Sequence, residues 1–198
     1  MAWRCNMKKF ILLMALGIVL SWTQIGAQAA PSQTKLEISF TFKRQSGFSS
    51  NQFALWIEDS RGRLVKTLYA TKFTANGGWA KRPQSIPLWV VKSGISAGVS
   101  ALSKNDIDAF TGATPRAGAL SYSWDGAGMD GNPMAPGEYR VFLEATLREG
   151  NRLLCSAPFT LGSGSAGSFA EARLNMEYYG NSTKEHDMIE NVKVMYRP

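Results

Sequence analysis

Asp108-Ala109-Phe110-Thr111-Gly112-Ala113-Thr114 is the stretch of this chain whose residue types and spacing could carry chemistry. Thr114 supplies a hydroxyl. A hydroxyl is a weak nucleophile, and it attacks phosphorus only when another protein brings a base or a metal to activate it. Gly112 and Ala113 leave the preceding backbone uncluttered, so the active site of a second enzyme can approach it. Pro115 ends any helix and favours an exposed, extended loop. Arg116 can pair with a phosphate. These features suit a loop that another enzyme modifies. Thr-Gly-Ala-Thr-Pro is also a serviceable turn between strands, and the residues alone leave both readings open.

The other candidate residues point away from enzyme chemistry. The chain holds one His and two Cys, too few for a Cys/His zinc site, a His-ligated metal cluster or a c-type haem. No serine lies in anything resembling a nucleophile elbow, so no enzyme is expected. His186, flanked by Lys184, Glu185 and Asp187, reads as a solvated surface residue. Cys155 lies in an apolar run and reads as a small buried hydrophobe. Trp79 and Trp89 could stack on a ligand, but tryptophan is highly buried on average, and packed anchors are the expectation. Asp125, Asp130 and Asn132 could ligate calcium, although their spacing is not that of an EF-hand loop. Asn181-Ser182-Thr183 is a glycosylation sequon, a short motif common by chance.

Those residues must be positioned by a chain of 198 residues, 44% apolar and 19% charged. That is a globular composition with room for one domain and a short appendage. Residues 1–29 read as a secretory signal peptide. Arg4, Lys8 and Lys9 precede an apolar run from Phe10 to Leu20, and Ala27-Gln28-Ala29 has the small-x-small pattern of a cleavage site. The run falls short of the roughly 20 apolar residues that a spanning helix needs. Cleavage after Ala29 removes those three cations, so the formal charge falls from +7 to +4. It also removes Cys5 and leaves Cys155 without a disulfide partner. Residues 30–198 must therefore be held by an apolar core, as a single domain. No dense Lys/Arg run with interleaved aromatics suggests nucleic-acid binding.

The remainder reads as strands and turns. Leu36, Ile38, Phe40 and Phe42 alternate with polar residues, the period of a half-buried strand. Phe53–Glu58 and Leu64–Tyr69 flank the turn residues Asp59-Ser60-Arg61-Gly62 and predict a hairpin. Further strands are expected at Leu120–Trp124, Tyr139–Thr146, Leu153–Leu161 and Val192–Tyr196, with a turn-rich loop over Asp125–Gly137 and a Gly/Ser loop over Ser163–Ser168. Residues 72–119 form an irregular insertion in which Pro87–Lys92 could be a short helix. About seven strands at regular turn spacing predict an all-β, antiparallel sandwich of immunoglobulin-like type. No α/β alternation suggests a dinucleotide-binding fold.

Three resemblances add to this reading. Asp108 through Thr114 resembles the acceptor motif for covalent FMN attachment by the periplasmic flavin transferase, D-x-x-(S/T)-G-A-T. The resemblance implies that Thr114 takes the FMN phosphate as a phosphoester and that Asp108, Thr111, Gly112 and Ala113 form its recognition frame. Acceptors of this type usually carry further Ser/Thr residues after the threonine, where this chain has Pro115-Arg116. The blocks Phe53–Asp59, Val65–Tyr69, Asp108–Pro115 and Trp124-Asp125-Gly126 to Pro136-Gly137-Glu138-Tyr139 resemble a family of predicted periplasmic proteins of unknown function. Its members look like exported single domains associated with membrane flavin and iron-reduction systems, and no catalytic residues carry over from them. The last block is also similar to the immunoglobulin-like module of flagellar hook-capping proteins. That likeness implies that Trp124, Asp125, Gly126, Gly137 and Tyr139 are fold determinants.

Two functions follow as expectations. The first is an exported, non-enzymatic electron-transfer accessory. It would carry FMN on Thr114, supplied by a periplasmic flavin transferase, and exchange electrons with a membrane redox protein. The second is an immunoglobulin-like binding or assembly module that works through a loop or a sheet edge and needs no cofactor.

Overall fold

Leu36, Ile38, Phe40 and Phe42 are all buried in the computed structural model, on one face of strand β1 (Leu36–Phe42). Their period of two turns a single face inward. The model describes residues 35–46, 51–98, 102–148, 150–162, 169–180 and 188–197. The expected signal peptide, the Ser163–Ser168 loop, the sequon at Asn181 and His186 lie outside the described residues. Strand β2 (Gln52–Asp59) differs from β1, because every residue but the last is buried. A continuous run of this kind is what a strand covered on both faces requires.

After β3 (Leu64–Thr71) the chain passes through a kinked helical turn at Thr74–Gly78 and α1 (Trp79–Lys81). Next come α2 (Pro87–Lys92), a 3-10 turn at Ile95–Ala97 and α3 (Lys104–Phe110). Strands β4 (Thr111–Gly112), β5 (Gly118–Trp124), β6 (Gly137–Arg148) and β7 (Asn151–Leu161) follow, then β8 (Ala170–Glu171), β9 (Asn175–Tyr179) and β10 (Ile189–Tyr196). One sheet has the order β5-β1-β10-β8 and the other β4-β3-β2-β6-β7-β9. The main core lies between them. Leu36, Ile38, Val194 and Trp124 of the smaller sheet belong to one cluster with Phe53, Leu55, Leu143, Cys155 and Phe159 of the larger. The fold is an all-β sandwich.

The insertion departs from the expectation of irregular chain. Its short helices lie on the outer face of the six-stranded sheet, where Ile86, Trp89, Val90 and Phe110 pack on Ala54, Trp56 and Ala70. That second layer explains why β2 is buried on both faces. It is tied down by polar side chains of the sheet. Glu144, fully buried, accepts hydrogen bonds from the N–H groups of Leu88 (3.1 Å) and Trp89 (2.9 Å) and from Arg152 (3.2 Å). The carboxylate thus satisfies the first turn of α2, which has no side-chain cap of its own. Thr146 accepts from the N–H of Ile86, and Thr67 accepts from the Trp89 indole. A further departure is the β3–β4 pair, which is parallel while the other described strand pairs are antiparallel.

Of the residues expected as fold determinants, Trp124, Asp125, Gly126 and Tyr139 pack or turn the chain in the structure. Trp124 is buried against Tyr139 and Phe159, with ring centroids 5.9 and 5.8 Å away, and its indole donates to the Ala127 carbonyl. The Tyr139 hydroxyl donates to the Ala135 carbonyl four residues upstream at 2.7 Å, which fastens the chain as it enters β6. Asp125 accepts from the N–H of Ala127, and Gly126 follows at φ +90°, a conformation that favours glycine.

Candidate functional site

Residues 108–114 span three elements. Asp108 lies exposed on α3, a helix started by a reciprocal Ser103–Asp106 capping box. Phe110, the last residue of α3, is buried against Trp89 with ring centroids 6.0 Å apart. Thr111 and Gly112 form β4, the edge strand, in register with Ala70 and Thr71 of β3. Ala113 to Ala117 then cross to β5, an edge strand of the other sheet. The expected acceptor loop is therefore the strap that joins the edges of the two sheets. Thr114 is half-buried on this strap, and Arg116 two residues later is exposed.

Tyr69 holds the strap in place. Its phenol lies 2.9 Å from the carbonyl oxygen of Ala113 and 3.3 Å from that of Gly112, and it donates to them. The ring stacks on Phe53 at 4.9 Å and meets Tyr122 at 5.1 Å, so the sandwich core positions the donor. Burial pushes the Tyr69 phenol up from 10.0 to about 12, which keeps its proton in place at neutral pH. A Cβ on Gly112 would stand 2.9 Å from the Tyr69 ring. Glycine is thus required here by close approach of a ring, a structural reason independent of any modifying enzyme. Nothing in the sequence pattern around Tyr69 signalled that role.

A cleft of about 500 Å³ opens between β3, α3 and the end of β5 remote from the strap. It is bounded by Lys66, Thr67 and Leu68 of β3, Asp106, Ala109 and Phe110 of α3, Ser123 and Trp124 of β5, and Asp125 and Met129 of the loop that follows. Asp106 and Met129 also line a second cleft of about 890 Å³, whose walls include Leu64, Val91, Leu102 and Met134. Lys66 donates to the Gly128 carbonyl at 3.1 Å. Hydrogen bonds from Ser103 hold the Asp106 carboxyl below its ordinary range, and those from Asn132 do the same for Asp130, with the Lys66 charge adding to both.

Other candidates resolve structurally. Trp89 is fully buried beneath the helical layer, so it cannot stack on a ligand, while Trp79 packs half-buried against the same cluster. Cys155 is buried, and burial pushes its thiol up to about 12. The Asp130 carboxylate accepts from the backbone and side-chain amides of Asn132. Among the described residues no group of three or more His, Cys, Asp or Glu side chains is placed to hold a metal.

The profile of a family described as predicted periplasmic protein, DUF2271, matches residues 33–178. The chain belongs to that family. The match spans β1 to β8, most of β9, the helical layer and the strap of this DUF2271 protein, with β10 beyond its end, and the family's description places it in the periplasm. No described helix is long and apolar enough to cross a membrane. Neither the curated proteins nor the solved structures searched contain a match.

Proposed function

We propose that this DUF2271 protein is a periplasmic electron-transfer accessory that carries FMN covalently on Thr114. The observation that carries the reading is the D-x-x-T-G-A-T run, which passes from α3 through β4 onto the strap between the sheet edges, with Thr114 half-buried rather than enclosed. The residues present fit the group. The Thr114 side chain lies on non-helical backbone, Arg116 is exposed nearby for a phosphate, and Tyr69 fixes the two carbonyls just before the acceptor. Attachment is the work of a separate transferase. The Thr114 oxygen bonds to the FMN phosphorus of a flavin dinucleotide, the phosphoanhydride bond breaks and the nucleotide half leaves. The hydroxyl proton passes to a base on the transferase. Bound flavin supplies one- and two-electron chemistry, and the chain's part is to present it to a membrane redox partner.

The second reading, a cofactor-free binding or assembly module, is favoured by β9. This outer strand is exposed along its whole length and carries Met176, Tyr178 and Tyr179. A sheet edge of that kind accepts an added strand. Intact mass after co-expression with a periplasmic flavin transferase decides between the two. A gain of one FMN less water, absent from Thr114→Ala, supports the flavoprotein. An unmodified mass, with the transferase active on a known acceptor, leaves the binding module.

A further inference from the structure

Between Asp59 and Asp106 the chain carries eight Lys and Arg residues and no Asp or Glu, while the rest of residues 30–198 holds more acids than bases. That acid-free length folds into β3 and most of the helical layer, so the uneven charge of the sequence becomes an uneven charge of surfaces. Some of these cations are held locally. Arg63 pairs with Asp59, Lys92 pairs with Glu58, and Lys66 donates to the Gly128 carbonyl. Lys72, Lys81 and Arg82 differ from them. All three are exposed, and among the described residues no carboxylate pairs with them. The kinked turn after β3 gathers them around an aromatic ring. The Arg82 guanidinium lies 5.3 Å from the centre of the Phe73 ring, and Phe73 is itself 39% exposed. None of the described clefts is lined by any of these four residues, so the patch is an open surface.

We infer that this patch docks the protein on a bilayer containing anionic lipid, with Lys72, Lys81 and Arg82 at the headgroups and Phe73 entering the interface. Cations without carboxylate partners complement a negative surface, and each one held near an anionic bilayer adds to binding. An exposed aromatic ring among them suits the headgroup boundary, where apolar side chains insert beside basic ones. An acidic protein would also match the charge. The open surface favours the bilayer, because a protein partner seats its anchoring side chains in pockets, whereas a lipid surface needs no matching shape. The register of β4 on β3 gives docking a consequence. The two strands are parallel and pair Thr71 with Gly112, so Lys72 and Ala113 leave the sheet at the same end. Exposed Arg116 belongs to the strap as well. A protein seated through Lys72 therefore holds the Thr114 strap at the membrane-facing end of the sandwich. Docking itself needs no flavin on Thr114.

The test is vesicle co-sedimentation of unmodified protein recovered from the periplasm after export. Vesicles of phosphatidylcholine alone are compared with vesicles that also contain phosphatidylglycerol. Wild type is run beside Lys72→Glu/Arg82→Glu and beside Arg173→Glu/Lys193→Glu. The second pair makes the same change in net charge, with Lys193 on β10 and Arg173 just after β8. All four side chains are exposed, so the fold is retained, and equal thermal melting checks it. Wild type is expected to bind the anionic vesicles and not the neutral ones, and to be released by salt, which screens exposed charges. Lys72→Glu/Arg82→Glu should bind about tenfold or more weakly, and Arg173→Glu/Lys193→Glu should bind like wild type. Binding that Lys72→Glu/Arg82→Glu retains overturns the patch. So does an equal loss in both variants, since net charge alone then governs binding. Wild-type binding to neutral vesicles as strong as to anionic ones overturns the electrostatic docking. No binding to either vesicle overturns the bilayer and leaves an acidic protein as the partner that the patch fits. None of these outcomes bears on Thr114, whose flavin is read separately by mass.

Discussion

The phenolic oxygen of Tyr69 and the carbonyl oxygen of Ala113 stand 2.9 Å apart across 44 residues of sequence. The contact fastens the strap between the two sheet edges to the aromatic core of the sandwich. Tyr69→Phe keeps the stacking on Phe53 and Tyr122 but removes the donor. It is expected to lower unfolding free energy by about 0.5–1.5 kcal/mol, measured by urea denaturation. Hydrogen exchange should quicken in the strap and leave β6 and β7 unchanged.

The same phenol sets an alkaline limb. Its folded pKa, about 12, lies above the ordinary 10.0 because of burial. A group with a raised folded pKa contributes stability that is fully present below the unfolded value and is lost as pH rises through the folded one. Wild-type stability should therefore fall between about pH 10 and pH 12. Tyr69→Phe should fall less steeply across that window. Equal slopes in urea titrations at pH 9 to 12 would remove Tyr69 as a source of the limb.

Gly112→Ala tests the close approach from the other side. The added methyl meets a ring carbon at 2.9 Å, and that ring is wedged between Phe53 and Tyr122, so neither partner gives way cheaply. A loss on the order of 1–3 kcal/mol is expected, as for overpacking in a filled site. Combined with Tyr69→Ala, the substitution should cost less than it does alone. Additivity in that double-mutant cycle would sink the steric account.

The sandwich was readable from sequence because its information is local. Alternation over Leu36–Phe42 and turn residues after β2 mark strands wherever one face meets the core. All seven expected strands are present. β4 and β8 have two residues each, too few to show a period. β9 was missed although Leu174, Met176 and Tyr178 alternate with Asn175 and Glu177, because the alternation is short and the strand is exposed on both faces, with no apolar side turned to the core. The helical layer was hidden for a different reason. Its order comes from long-range partners, such as Glu144 capping α2 from more than 50 residues away. In the candidate site, the motif was visible as a string. Tyr69 and Lys66, which flank it in space, lie on β3, more than 40 residues earlier, and no spacing rule connects them to Thr114.

Cys155 gives a probe of global opening. The thiol is buried in the core between the sheets and pushed up to about 12 by burial, so it is neither accessible nor ionised near neutrality. Labelling by a maleimide at pH 7.5, located by peptide mass, should be negligible over hours in buffer and rapid in unfolding concentrations of urea. Fast labelling in buffer would show that the edge between β7 and β9 opens locally.

Glu144→Gln separates the helical layer from the sandwich. The carboxylate accepts from two backbone N–H groups of α2 and from Arg152, in a fully buried position. An amide keeps the shape but turns one acceptor into a donor, so one of those three donors is left facing another. The expected cost is about 1–3 kcal/mol, the penalty of a buried unsatisfied group. The damage should be local. Amide exchange at Val90 and Ser93 should accelerate more than in β6 and β7, because the helices pack on the outer face and the main core lies on the other side. Burial, the largest influence on Glu144, raises its pKa against the opposing hydrogen bonds. A raised carboxyl disfavours the folded state as it ionises, so its contribution weakens as pH climbs above the ordinary carboxylate range. Glutamine does not titrate. The stability gap between wild type and Glu144→Gln should therefore be wider near pH 5 than near pH 8, and a gap that widens toward pH 8 would assign the net shift the opposite sign.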